Sequence, residues 1–142
     1  METPQNYNFK ESENKWKKYW EQNKIYKFDQ KSKKVFSIDT PPPTISGEIH
    51  MGHVFSYTHT DIIARYKRMR GYNLFYPFGF DNNGLPTERL VEKIKNIKAS
   101  KIKREDFVKI CLEVSKNYET LFKQFWSNLG LSVDWSLIYS TI

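Results

Sequence analysis

Three consecutive prolines, Pro41-Pro42-Pro43, stand just behind a short β-branched and aromatic run, Val35-Phe36-Ser37-Ile38-Asp39. No other feature narrows the fold as much. Proline fixes φ at about −65° and has no backbone donor, so neither a helix nor a sheet ladder continues through three of them. The run before them reads as a buried strand ending in a rigid loop. After the loop Thr44-Ile45-Ser46-Gly47-Glu48-Ile49, the segment from His50 to Arg70 brings Val54, Tyr57, Asp61/Ile62, Arg65/Tyr66 and Met69 round at helical intervals, and Gly71 supplies the stop. Tyr72 to Phe80 reads as a second strand, with Pro77 and Gly79 toward its end. Strand, crossover helix and strand form a βαβ unit, parallel and right-handed.

Around this unit the pattern is helical. Phe9 to Tyr26 carries Phe9, Trp16, Tyr19, Trp20 and Ile25 among Lys and Glu, an amphipathic helix. Lys27 to Lys34, with four Lys and one Asp, reads as a solvated connector. Asp81-Asn82-Asn83-Gly84-Leu85-Pro86-Thr87-Glu88 opens another helix, in whose first turn Pro86 is acceptable. Lys93 to Lys109 sets seven Lys/Arg against Glu105 and Asp106 and reads as a basic, mobile stretch. Asp106 to Leu129 is the longest amphipathic helix, ending at Gly130.

At 142 residues the chain has room for one domain, and 39% hydrophobic with 16% aromatic residues is too rich for disorder. No run approaches the roughly 18 apolar residues of a membrane span, and Met1 to Lys10 has no signal-peptide core. The expected location is the cytoplasm. A single cysteine, Cys111, forms no internal disulfide and reads as a small apolar packing residue. The net charge of +7 suits an anionic partner such as nucleotide or RNA. A proteome-wide drift toward Lys would give the same excess.

In open parallel α/β sheets ligands bind beyond the carboxyl ends of strands. Both unusual segments, Pro41 to His53 and Gly79 to Glu88, follow expected strands and so should face one cleft. A helix start there offers free N–H groups and a positive dipole end to phosphate. His50 and His53 fall on one face of that helix start, and Gly52 between them leaves a ligand room to approach the backbone. Their plainer reading is a capping or packing pair. The spacing is not that of HExxH zinc sites, and Walker A, GxGxxG and GxSxG are absent, which leaves P-loop, nicotinamide and α/β-hydrolase chemistry without their motifs.

Taken whole, Ile38 to His53 closely resembles the His-x-Gly-His signature of class I aminoacyl-tRNA synthetases. Asp61 to Gly71, Asp81 to Arg89 and Leu129 to Ser136 resemble the valyl branch of that family, so the likeness extends from about Trp16 onward. The resemblance implies an α/β fold: the first βαβ half of a Rossmann-like catalytic domain, with an amphipathic helix before it and a long one after it. It divides the chain into an N-terminal helix and connector, 1–34, and a catalytic half-domain, 35–142, ending before the editing insertion. It implies the activation of valine by ATP with Mg2+ to valyl-adenylate, for transfer to tRNA(Val). His50 and His53 become the catalytic pair, stabilising phosphorus as pyrophosphate leaves. The implied ATP-binding set is Thr44, Gly47, His50, Gly52 and His53, with no metal ligands in the protein. Pro41 and Pro42 form a wall beside the amino acid, and Asp81 pairs with its α-ammonium. Asp81 otherwise reads as an N-cap or loop Asp. Thr44 stands where the family often has Asn, Phe80 where it often has Trp, and Asn82 where it often has Asp.

The family's Lys-Met-Ser-Lys-Ser loop occurs nowhere in the chain. The expectation is an incomplete site with little or no aminoacylation by this chain alone, and room for a second polypeptide that completes it. Three alternatives stay open: a non-catalytic nucleotide- or tRNA-binding module, an inactive fragment, and an isoleucyl- or leucyl-type relative.

Overall fold

The computed structural model describes residues 6–142. The elements run α1 (Phe9–Gln22), β1 (Val35–Ser37), α2 (Met51–Met69), β2 (Asn73–Phe75), β3 (Phe78–Phe80), α3 (Leu85–Lys95), α4 (Arg104–Asn128) and β4 (Ile138–Ser140), with a short 3-10 turn (Ala99–Lys101) before α4. β1 and β2 pair in parallel, with Val35 opposite Asn73 and Ser37 opposite Phe75. Because α2 joins them, the expected βαβ unit is present.

Two features of the sheet differ from the sequence reading. β1 is only partly covered: Val35 and Ser37 are exposed, Phe36 packs half-buried against the core, and the following Ile38 is buried. Among the described residues β1 has one partner strand, so it lies at a sheet edge. The expected single strand from Tyr72 to Phe80 is two, because Pro77 has no N–H to continue the ladder. After the break, all of β3 is buried and pairs in parallel with β4, Phe78 opposite Ile138. The phenol end of Tyr139 stands against Gly79, in the space that any Cβ there would fill.

Two crossovers carry the core. Ile38, Tyr57, Ala64, Leu74, Tyr76, Phe78 and Phe80 meet Phe122 and Trp126 of α4 and the tail residues Leu131 and Val133. A polar latch fixes the tail. Buried Asp61 accepts the backbone N–H and hydroxyl of Ser132 on one oxygen and Arg65 Nε, at 2.7 Å, on the other. Arg65 also donates to the Gly130 carbonyl, and Arg68 donates to Ser132 Oγ and O. Two of the sequence segments singled out above, 61–71 and 129–136, are thus one contact.

The stretches read as connectors are tied down. Phe28 packs on Phe75 with ring centroids 5.2 Å apart, and Asp29 and Asn73 exchange hydrogen bonds of 3.0 and 2.7 Å. The Phe28 N–H donates to Asp134, a carboxylate that burial alone would push up. Donors from Phe28 and Ser136 hold it below its ordinary range instead. The basic stretch from Lys93 packs into the fold: Val91, Phe107 and Val114 form a second small core with Ile97, Ala99 and Ile102, and Glu92 accepts the Ala99 N–H at 2.7 Å. None of the described helices is long and apolar enough to cross a membrane.

Candidate active site

The loop leaving β1 carries the site. Its prolines line a pocket of about 400 Å³ together with Thr40, His50, Gly52, His53, Ser56, Tyr57 and Thr60. Pro41 and Pro42 share this pocket with the histidine pair. The loop is held to α2 by Tyr57, whose hydroxyl donates to the Pro41 carbonyl at 2.7 Å. Burial pushes that phenol above its ordinary range, so it remains a donor at any working pH.

His50 is the N-cap of α2, in extended backbone conformation, and its Nδ1 accepts the Gly52 N–H at 3.1 Å. His53 returns the favour: its Nδ1 accepts the His50 N–H at 3.3 Å. The two rings lie 4.0 Å apart between centroids. The pair is a capping box built from two imidazoles, so the plain reading of the motif holds. That reading also leaves the chemistry intact. With Nδ1 used as acceptor on both rings, each neutral ring carries its proton on Nε2, leaving two donors free. His53 is held below its ordinary value, first by burial and then by the charge of His50, which favours the neutral form. No acidic side chain occupies the first turn of α2, so the positive end of the helix dipole is not offset.

Gly52 lines the pocket between the two histidines, and its lack of a side chain also makes room for the His50 ring. A Cβ there would stand 2.9 Å from His50 Cε1 and 3.0 Å from its Nδ1. With no Cβ at position 52 the His50 ring folds over the first turn uncrowded. The Gly52 amide is consumed by that ring rather than left for a ligand.

At the other end of the same loop, Thr44 bridges Asp81, the residue after β3. Asp81 N donates to the Pro43 carbonyl, and Ile45 N donates to the Asp81 carbonyl, at 3.0 and 3.2 Å. The two unusual segments of the sequence therefore face each other as a parallel bridge. The Thr44 hydroxyl donates to Asp81 Oδ2 at 3.1 Å, and Thr44 does not line the histidine pocket. Asp81 is not a helix cap, since α3 is capped by Gly84 at φ +111°. Gly47 also stands apart from the histidines. It lines a neighbouring pocket of about 700 Å³ with Ser46, Arg89, Lys93 and Tyr118. Sequence reasoning missed Tyr57, read as a helix-face residue, and Thr141, whose hydroxyl reaches Asp81 Oδ1 at 3.2 Å.

Residues 15–142 match the family described as tRNA synthetases class I (I, L, M and V). The chain belongs to that family. It is 55% identical to the valine–tRNA ligase of Rickettsia prowazekii over 99% of its own length and 18% of that protein's. The corresponding enzymes of Rickettsia felis and Rickettsia canadensis are 54% and 55% identical, over 17% of their lengths. The chain thus spans less than a fifth of these relatives. Among solved structures, the LeuRS of Agrobacterium radiobacter, determined as a ternary complex with tRNA and LeuAMS, superposes with a TM-score of 0.78 at 26% identity. That match covers 96% of this chain and 16% of the LeuRS. The likeness fits an α/β, Rossmann-like half of a class I synthetase catalytic domain, in agreement with the sequence reading.

Proposed function

We propose that the chain supplies one half of the active site of a valine–tRNA ligase, in which ATP and valine meet to form valyl-adenylate for transfer to tRNA(Val). The observation that carries this reading is the imidazole capping box: two Nε2–H donors, on an unneutralised helix N-terminus, in a pocket walled by prolines. Such an arrangement suits a polyphosphate whose charge grows on the leaving side as the valine carboxylate attacks the α-phosphorus. Preorganisation matters here. Each ring is held by a backbone bond, so neither has to be reoriented when charge develops. Mg2+ would enter with the nucleotide, bound to the phosphates that the histidines face. Asp81, at the end of β3, would receive the α-ammonium of valine in a charge-assisted pair. Valine, rather than leucine, is favoured by the 54–55% identity to valine–tRNA ligases against 26% to LeuRS.

The test is a chimera in which residues 1–142 replace the matching segment of the Rickettsia prowazekii enzyme. Valine-dependent ATP–pyrophosphate exchange is expected, with isoleucine and threonine as poor substrates. A His50→Ala/His53→Ala pair should lower the rate by about 100-fold or more. Exchange that survives the double substitution overturns the role of the box.

A further inference from the structure

We propose that Thr141 is a positioning residue for the amino-acid subsite: its hydroxyl aims the carboxylate of Asp81. The inference rests on the reading of Asp81 as the ammonium-binding group. A threonine hydroxyl has one proton and two lone pairs. At Thr141, Oγ1 accepts the backbone N–H of Asn82 at 3.0 Å and that of Asn83 at 3.3 Å. With both lone pairs taken by amides, the proton has one direction left, and it goes to Asp81 Oδ1 at 3.2 Å. The hydroxyl is thereby a fixed donor rather than a rotor.

Thr44 holds the other oxygen, Oδ2, from the opposite side of the strand end. Each carboxylate oxygen therefore receives one hydroxyl and keeps one lone-pair direction open. A carboxylate pinned at both oxygens offers a cation a defined pair of acceptors. One left to rotate would be reoriented at every binding event. The two clamps come from distant parts of the sequence, Thr44 behind the proline loop and Thr141 behind β4, and they converge because β3 lies between them. Asn82 binds the same tail through its Nδ2, which donates to Ser140 Oγ at 2.8 Å and also to Glu119 on α4. The β4 tail is thus part of the subsite and not a trailing end.

A merely structural Thr141 would tie the tail down, and its loss would damage both substrates alike. The experiment separates the two in the chimera described above, comparing Thr141→Val, which keeps the shape, with Thr141→Ser, which keeps the hydroxyl, and with Asp81→Asn. In exchange assays Thr141→Val should raise the KM for valine about three- to tenfold while leaving the KM for ATP within twofold, and Thr141→Ser should restore it. Equal increases in both KM values, or failure of Ser to restore, overturn the positioning role. Should Asp81→Asn raise the valine KM while Thr141→Val leaves it unchanged, this inference fails and the reading of Asp81 stands. Should neither variant move it, Asp81 does not bind the ammonium and both fail. In the 142-residue chain, Thr141→Val should also shift the carboxyl carbon resonance of Asp81 and the amides of Asn82 and Asn83. Unmoved resonances overturn the inference without any enzyme assay.

Discussion

Gly52→Ala isolates the reason for the glycine between the two histidines. In most helices the change stabilises by about 1 kcal/mol, because alanine loses less backbone freedom on folding. Gly52 has a helical conformation with no positive φ, so nothing in its backbone opposes that gain. The opposition is local: the new Cβ would stand 2.9 and 3.0 Å from the His50 ring. That ring can swing away, at the loss of its bond to the Gly52 amide, and removal of an N-cap costs about 1 kcal/mol. The two effects nearly cancel, so Gly52→Ala alone should leave stability within about 1 kcal/mol of the parent. In a His50→Ala background there is no ring to displace, and the same change should return its full gain of about 1 kcal/mol. The coupling between the two sites is therefore about 1 kcal/mol, read from a double-mutant cycle by urea denaturation followed by circular dichroism. In thermal melts it corresponds to roughly 4 °C. Additive effects would mean that the ring never depended on the missing Cβ, and the assignment of Gly52 to the cap would be wrong.

Two further outcomes follow from the latch and the cap. Asp61→Ala leaves the Ser132 amide and hydroxyl and the Arg65 guanidinium without their shared acceptor, and should cost about 3 kcal/mol, or roughly 10 °C in Tm; a loss below about 0.5 kcal/mol would show that the latch contributes little. His53 has a folded-state pKa below its ordinary 6.5, through burial first and the His50 charge second, so the unfolded chain binds the extra proton more readily. Its contribution to stability is present above about pH 6.5 and is lost as pH falls through the lower folded value. Urea midpoints measured from pH 7 to pH 5 should fall less steeply in His53→Ala than in the parent, and equal slopes would refute the shift.

The parts of this molecule that could be read from sequence are those governed by local physics. Prolines interrupt a ladder, and the periodicity of α4 records the face it buries through Phe107, Val114, Phe122 and Trp126, so the βαβ unit and the facing of the 41–53 and 79–88 segments were legible; in α2 the periodicity gave the helix but not its buried face, since Ile62, Tyr66 and Met69 are exposed and Ala64 is buried. What escaped was set by partners far along the chain. Ile138-Tyr139-Ser140 is too short a run to signal a strand, and it becomes β4 only because β3 offers it an unpaired ladder. Lys93 to Lys109 looked mobile by charge, yet Ile97, Ala99 and Ile102 sit against Val91 and Phe107, a contact that no count of charges displays. The site divides in the same way. The spacing of His50 and His53 is a property of one helix turn and announced their capping box, and their role in the site was implied by the family resemblance, whereas Thr141 had no local signal at all. Its hydroxyl acquires meaning from two amides and a carboxylate 58 to 60 positions away, all delivered by the β3–β4 pairing. A motif can name the groups that touch a substrate when they share a turn. The residues that aim those groups are fixed by the topology, and they are visible only once the strands are placed.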